Sequence, residues 1–187
     1  MNHEKVEKLI RELLIEIGED PDREGLLKTP SRVANAYAFL TKGYRENIDT
    51  IINNAVFESA SNNMIIVRDI EVYSLCEHHM LPFFGRIHIG YIAKDKVLGV
   101  SKLARITDLY ARRLQIQERM TAQIASEIMK ATNAEGVGVV MECKHLCMMM
   151  RGVEKQNSTM TTSSVLGSFH DSKATREEFL KLIGKTS

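Results

Sequence analysis

The hydrophobic residues of this chain change period near Met64, and that change constrains the fold more than any other feature. Before it, Val6, Leu9, Ile10, Leu13, Leu14 and Ile17 recur at steps of three and one, which places them on one helix face. Gly18 ends that helix, and the polar stretch GEDPDREG follows. Thr29-Pro30 opens a second helix, with Thr29 as its cap and Pro30 in its first turn. Val33, Ala34, Ala36, Tyr37 and Leu40 form its apolar face, and Gly43 stops it. Residues 44–63 are polar and carry no clear period.

After Met64 the alternation is two. Ile66-Val67 through Val72 and Tyr73 reads as one strand and Phe83 to Ala93 as another, with Ile87, Ile89 and Tyr91 alternating against Arg86, His88 and Gly90. Val97 to Val100 is a short strand. Ser101 is expected to cap a helix carrying Leu103, Ile106, Leu109 and Tyr110. A second helix runs from about Gln117 to Ala131 and breaks at Asn133 to Gly136. Val137 to Cys143 is a strand, Ser158 to Phe169 is extended, and a short helix with Phe179, Leu182 and Ile183 closes the chain. The order β-β-α-α-β-β predicts an α+β fold: an antiparallel sheet with two helices on one face, preceded by an N-terminal helical arm. A half-covered sheet has open edges, and such edges pair with copies of the same chain, so a homo-oligomer is expected.

Composition narrows the function classes. The chain has 187 residues, about one domain, and we read residues 1–187 as a single domain, with 1–60 as arm and linker and 61–187 as core. A net charge of +1 gives no broad basic field, so nucleic acid is not an expected partner. No apolar run reaches the roughly 18 residues of a membrane span, and MNHEKVEKLI has no signal-peptide core. Three cysteines are too few for a disulfide framework. These point to a cytoplasmic protein with no membrane partner.

The densest chemistry is Cys76-Glu77-His78-His79, on a turn between two strands. The Cys-x2-His spacing lets Cys76 and His79 aim at one point. Catalytic zinc takes three protein ligands and keeps one position open. Spacing alone does not single out the third ligand, because Cys143, His145 and Cys147 share one face if their strand continues. Cys143 sits in the apolar run Val139-Val140-Met141 and reads as core. His3, His88 and His170 are solitary and read as structural or surface residues.

SLCEHHMLPFFG at 74–85, GVSKLAR at 99–105, RLQIQER at 113–119 and HLCMMMRG at 145–152 closely resemble the GTP cyclohydrolase I family, as does TPSRVA at 29–34. The resemblance runs from about Val6 to Phe179. It implies a tunnelling fold of ββααββ units, a homodecamer of two stacked pentamers, and sites between subunits. It implies conversion of GTP and water to 7,8-dihydroneopterin triphosphate and formate, the first step towards tetrahydrofolate and other pterins, through opening of the guanine imidazole ring at C8.

By the same resemblance, Cys76, His79 and Cys147 hold Zn2+, and His78 and His145 transfer protons, a task suited to imidazole near neutral pH. Gln117 and Glu118 resemble the guanine reader, since a carboxylate can accept from N1–H and the exocyclic amino group together. Read alone, Glu118 would be a solvated charge in a helix's first turn. Ser101, Lys102, Arg105, Arg151 and Arg32 match the family's triphosphate contacts, although Asn35 stands where relatives often carry Lys. Met148-Met149-Met150 reads as packing. A zinc-stabilised subunit without catalysis would be expected to lose His78, His145 or Glu118, and all three are present.

Overall fold

The computed structural model describes residues 1–53, 55–59 and 62–184; the expected boundary between residues 60 and 61 lies outside the described residues. The chain forms two compact units, Met1–Lys42 and Gly43–Ser187. In the first, α1 (His3–Glu16) packs against α2 (Thr29–Leu40). The Asn2 side chain accepts from Lys5 N–H and caps α1, and Gly18, at φ 90°, lets the chain leave it. Of the apolar stripe of α1, Val6, Ile10 and Leu14 are half-buried, while Leu9, Leu13 and Ile17 stay exposed, as does Ile15. The expected Thr29 cap is not observed. Thr29 is already helical, and Lys28 precedes it without a side-chain cap, because Pro30 needs no N–H partner in the first turn.

The second unit begins with α3 (Ile48–Ile52) and β1 (Val56–Glu58), in the stretch that lacks a sequence period. Its main elements are β2 (Met64–Cys76), β3 (Pro82–Ile92), β4 (Lys96–Leu98), α4 (Val100–Ala111), β5 (Leu114–Gln115), α5 (Gln117–Thr132), β6 (Gly136–His145), α6 (Leu146–Met149), β7 (Met160–Gly167), α7 (Ser168–Asp171) and α8 (Lys173–Leu182). Strands β1 and β4 form a small antiparallel pair. The main sheet runs β5-β2-β3-β6-β7 and is antiparallel except for the short parallel pairing of β5 with β2. Gly99, not Ser101, occupies the cap position of α4, since the helix starts at Val100.

One sheet face is apolar and closed. Val72, Ile87, Ile89, Val137, Val139 and Met141 pack with Leu103 and Ile106 of α4 and Met120, Ile124 and Ile128 of α5, all buried. The other face differs from the expected bare surface, because α7 and α8 cover one end of it. Gly90 and Gly138 are cross-strand partners, and a Cβ on Gly90 would lie 2.7 Å from the Phe179 ring. The two missing side chains make a notch that Phe169 and Phe179 fill, edge to face at 5.4 Å, together with Val140 and Ile183. Both faces of β6 are therefore buried there, which explains its unbroken apolar run.

Candidate metal centre

The centre is built where β2 and β3 meet and where β6 ends. Between Cys76 and Pro82 the chain turns tightly: Cys76 N–H donates to Leu81 O at 2.8 Å, Met80 N–H donates to Cys76 O at 2.8 Å, and Met80 adopts φ 55°. The turn is also tied sideways. Glu77 N–H donates to Gln115 O at 3.0 Å, and the Glu77 carboxylate pairs with Arg119, which holds its pKa below the usual carboxylate range. Arg119 Nε in turn donates to Gln115 Oε1 at 3.2 Å. Cys76 and His79 thus project from a turn braced by β5 and α5.

The third residue arrives from a helix. Strand β6 stops at His145 and α6 begins at Leu146, so Cys143, His145 and Cys147 do not share a strand face. Cys143 is buried in the core, and burial, with the neighbouring charge of Glu142, pushes its thiol up to about 12. One turn of α6 brings Cys147 round instead, and the ligand atoms of Cys76, His79 and Cys147 lie within 4.8 Å of one another.

This set fits a zinc ion. Burial first, and the adjacent Cys76 second, raise the pKa of Cys147, because two sulfurs this close resist ionising together. A divalent cation reverses that preference by stabilising both thiolates. Two thiolates and one imidazole are donors that zinc favours, and three protein ligands leave a position open. The Arg151 guanidinium donates to His79 Nε2 at 3.0 Å, so one nitrogen of that ring is already engaged.

Two further histidines flank the cluster. His78 is exposed, and its Nδ1 lies 3.9 Å from Cys76 Sγ. The His145 ring stacks on Phe83, its cross-strand partner, at 4.6 Å and 4°. Its Nε2 lies 2.8 Å from Gln117 Oε1. Burial lowers its pKa, partly offset by the charge of Glu118, and so favours the neutral ring at pH 7. His145 and Cys147 line a cleft of about 390 Å3 with Met148, Met149, Ser158, Thr159 and Met160. That volume is within the range of small-molecule sites. The methionine triplet is not simple packing: Met148 and Met149 line the cleft, and Met150 is 63% exposed.

The remaining expected contacts are placed less uniformly. Glu118 is exposed in the first turn of α5, whereas Gln117 beside it is buried with its carboxamide bonded inside the chain. Ser101, Lys102 and Arg105 stand on the first turns of α4, and Lys102 Nζ donates to Ile51 O at 2.7 Å. Arg32 is exposed on α2, in the first unit. Sequence reasoning missed the Glu77–Arg119 brace and the Phe83 stack. Both cross between elements, and only the strand register or the turn geometry exposes them.

A family model described as GTP cyclohydrolase I matches residues 6–184. The GTP cyclohydrolase 1 of Methylococcus capsulatus is 61% identical over 98% of this chain and 99% of its own length. That of Leptospira biflexa is 59% identical over 95% and 97%, and that of Alkalilimnicola ehrlichii 58% over 96% and 97%. Among solved structures, the archaeosine synthase QueF-Like in its apo form covers 59% of this chain and 97% of its own at TM-score 0.46 and 16% identity, a likeness too distant to bear on the chemistry.

Proposed function

We propose that this chain, which belongs to the GTP cyclohydrolase I family, is a zinc-dependent hydrolase that opens the guanine imidazole ring of GTP at C8. It releases formate and forms 7,8-dihydroneopterin triphosphate, the entry step to pterins and tetrahydrofolate. The observation that carries this reading is the convergence of Cys76, His79 and Cys147, the last of which lines a cleft together with His145.

Cys76, His79 and Cys147 are the residues that would hold Zn2+. The ion supplies Lewis acidity, which makes a water nucleophilic near neutral pH. His145, neutral and held flat by Phe83, takes up and returns protons as the ring opens. His78, next to the ligand turn, serves the second proton transfer. The Glu118 carboxylate accepts from guanine N1–H and the exocyclic amino group, a pair that adenine does not offer. Gln117, the other residue of this reader, supports it from inside the chain, with its carboxamide bonded to Met141 O and to His145. Ser101, Lys102, Arg105, Arg151 and Arg32 bind the triphosphate. Lys102 then exchanges the Ile51 carbonyl for a phosphate oxygen, and Arg151 exchanges the His79 ring.

The sheet with α4 and α5 is read as one tunnelling-fold unit, residues 1–187 as one functional domain with its N-terminal arm, and the assembly as a decamer of two pentamers with sites between subunits. The exposed apolar residues of α1 and the edge strand β7 support this, since both offer surface that a second copy can cover. No described helix is long and apolar enough to cross a membrane, and we place the protein in the cytoplasm.

The test is direct. Purified protein incubated with GTP is expected to release formate and a pterin that fluoresces after oxidation. A chelator should abolish both, and added zinc should restore them. Formate release that persists in chelated, metal-free protein overturns the zinc reading, and no formate from zinc-loaded protein overturns the activity.

A further inference from the structure

Gln117 is the first residue of α5, and its side chain is buried. Its Nε2 reaches Met160 O at 3.0 Å, Met141 O at 3.1 Å and Thr162 Oγ1 at 3.1 Å. Backbone carbonyls only accept hydrogen bonds, so this end of the carboxamide must be the NH2 group. The Thr hydroxyls agree. Thr121 Oγ1 donates to Gln117 O at 2.7 Å and lies 2.7 Å from Thr162 Oγ1. Thr162 therefore donates to Thr121, and its oxygen remains free to accept from Gln117. The orientation leaves Oε1 facing His145 Nε2 at 2.8 Å. An amide oxygen cannot donate, so the hydrogen in that bond belongs to the imidazole.

We infer that Gln117 is a positioning residue that fixes His145 as the Nε2–H tautomer and makes Nδ1 the nitrogen that exchanges protons during the reaction. The inference rests on the proton-transfer role read for His145. Phe83 sets the plane of the ring, and Gln117 sets which nitrogen is bare. A proton taken from water or substrate lands on Nδ1, and Nε2–H stays on Gln117 throughout. The same proton leaves from Nδ1 when it is returned, so the cycle balances without a co-reactant. The neutral tautomers of a free imidazole interconvert, and only one of them has an Nδ1 lone pair. Holding that one spares the site a population of rings with the wrong nitrogen protonated.

Neutron diffraction from crystals of the zinc-loaded wild-type protein, exchanged into D2O above neutral pH, tests this without any variant. The expected result is deuterium on Nε2 of His145 and none on Nδ1. Deuterium on Nδ1 alone overturns the inference. In solution, Gln117→Met is expected to lower kcat about 10–100-fold while KM for GTP moves less than about threefold. Gln117→Glu should recover part of the loss, since a carboxyl oxygen can still accept from Nε2–H. A Gln117→Met protein with wild-type kcat also overturns it. If zinc-loaded wild-type protein releases no formate from GTP, the functional reading has failed, and the diffraction result still decides the tautomer.

Discussion

Strands β3 and β6 pair without a register shift from Ile92↔Gly136 at one end to Phe83↔His145 at the other, yet the two ends are built in opposite ways. Near the first end, Gly90 and Gly138 give up their side chains so that Phe169 and Phe179 can seat against the backbone. The residues that fill the notch, Val140, Phe169, Phe179 and Ile183, are all apolar and buried. At the second end the same ladder delivers a half-buried imidazole stacked on Phe83, followed by a helical turn that carries a thiol. The contrast separates two jobs within one pair of strands. The sealed end supplies rigidity through burial, and the open end uses that rigidity to hold polar groups where water and substrate can reach them.

Substitutions at the two ends should therefore fail differently. The largest effect is expected from Cys147→Ala, which removes one of the three proposed metal ligands. Turnover and bound zinc should both be lost while circular dichroism and the melting profile stay close to those of the metal-free wild type; zinc retained at one equivalent per chain would break the comparison at its open end. Phe179→Ala empties the sealed notch and should cost about 3–5 kcal/mol of stability in denaturant unfolding, with zinc content and KM for GTP near wild type in the protein that remains folded. A Phe179→Ala protein that unfolds normally but cannot bind zinc would show that the ends are not separable. Glu118→Ala should weaken GTP binding about a hundredfold, measured by calorimetry on zinc-loaded protein, and leave assembly intact. The smallest effect is expected from Glu77→Gln, which loosens the brace on the ligand turn. Zinc affinity should fall about tenfold in competition with a chromophoric chelator, with little change in melting temperature.

Much of this was legible in the chain before any coordinates. The period change near Met64, the two central helices and the turn bearing Cys76 and His79 are local signals, because backbone sterics and side-chain alternation act over a few residues. Cys143 was readable as core from its apolar neighbours. The third ligand was not derivable from spacing, because β6 ends at His145 and a helical turn rotates Cys147 out of the strand pattern. The cover supplied by α7 and α8 was also missed, since a glycine in a strand does not announce the aromatic ring it will admit. Gln117 and Glu118 enter the guanine reader together through the family resemblance, which does not say which way each side chain points. On a helix, neighbours point about 100° apart, and here one side chain faces inward and the other outward.

The sequence by itself determined the alternation of helices and strands, the donor types of the metal set and the charges available for a triphosphate, because these depend on residue identity and short-range geometry. Spacing left open which cysteine joins Cys76 and His79, and the resemblance alone pointed to Cys147; only the tertiary structure brings the three together and decides which carbonyls orient Gln117, and hence which nitrogen of His145 is bare. Those outcomes rest on hydrogen bonds and contacts between segments far apart in the chain, and their partners are set by strand register and helix packing rather than by any local pattern.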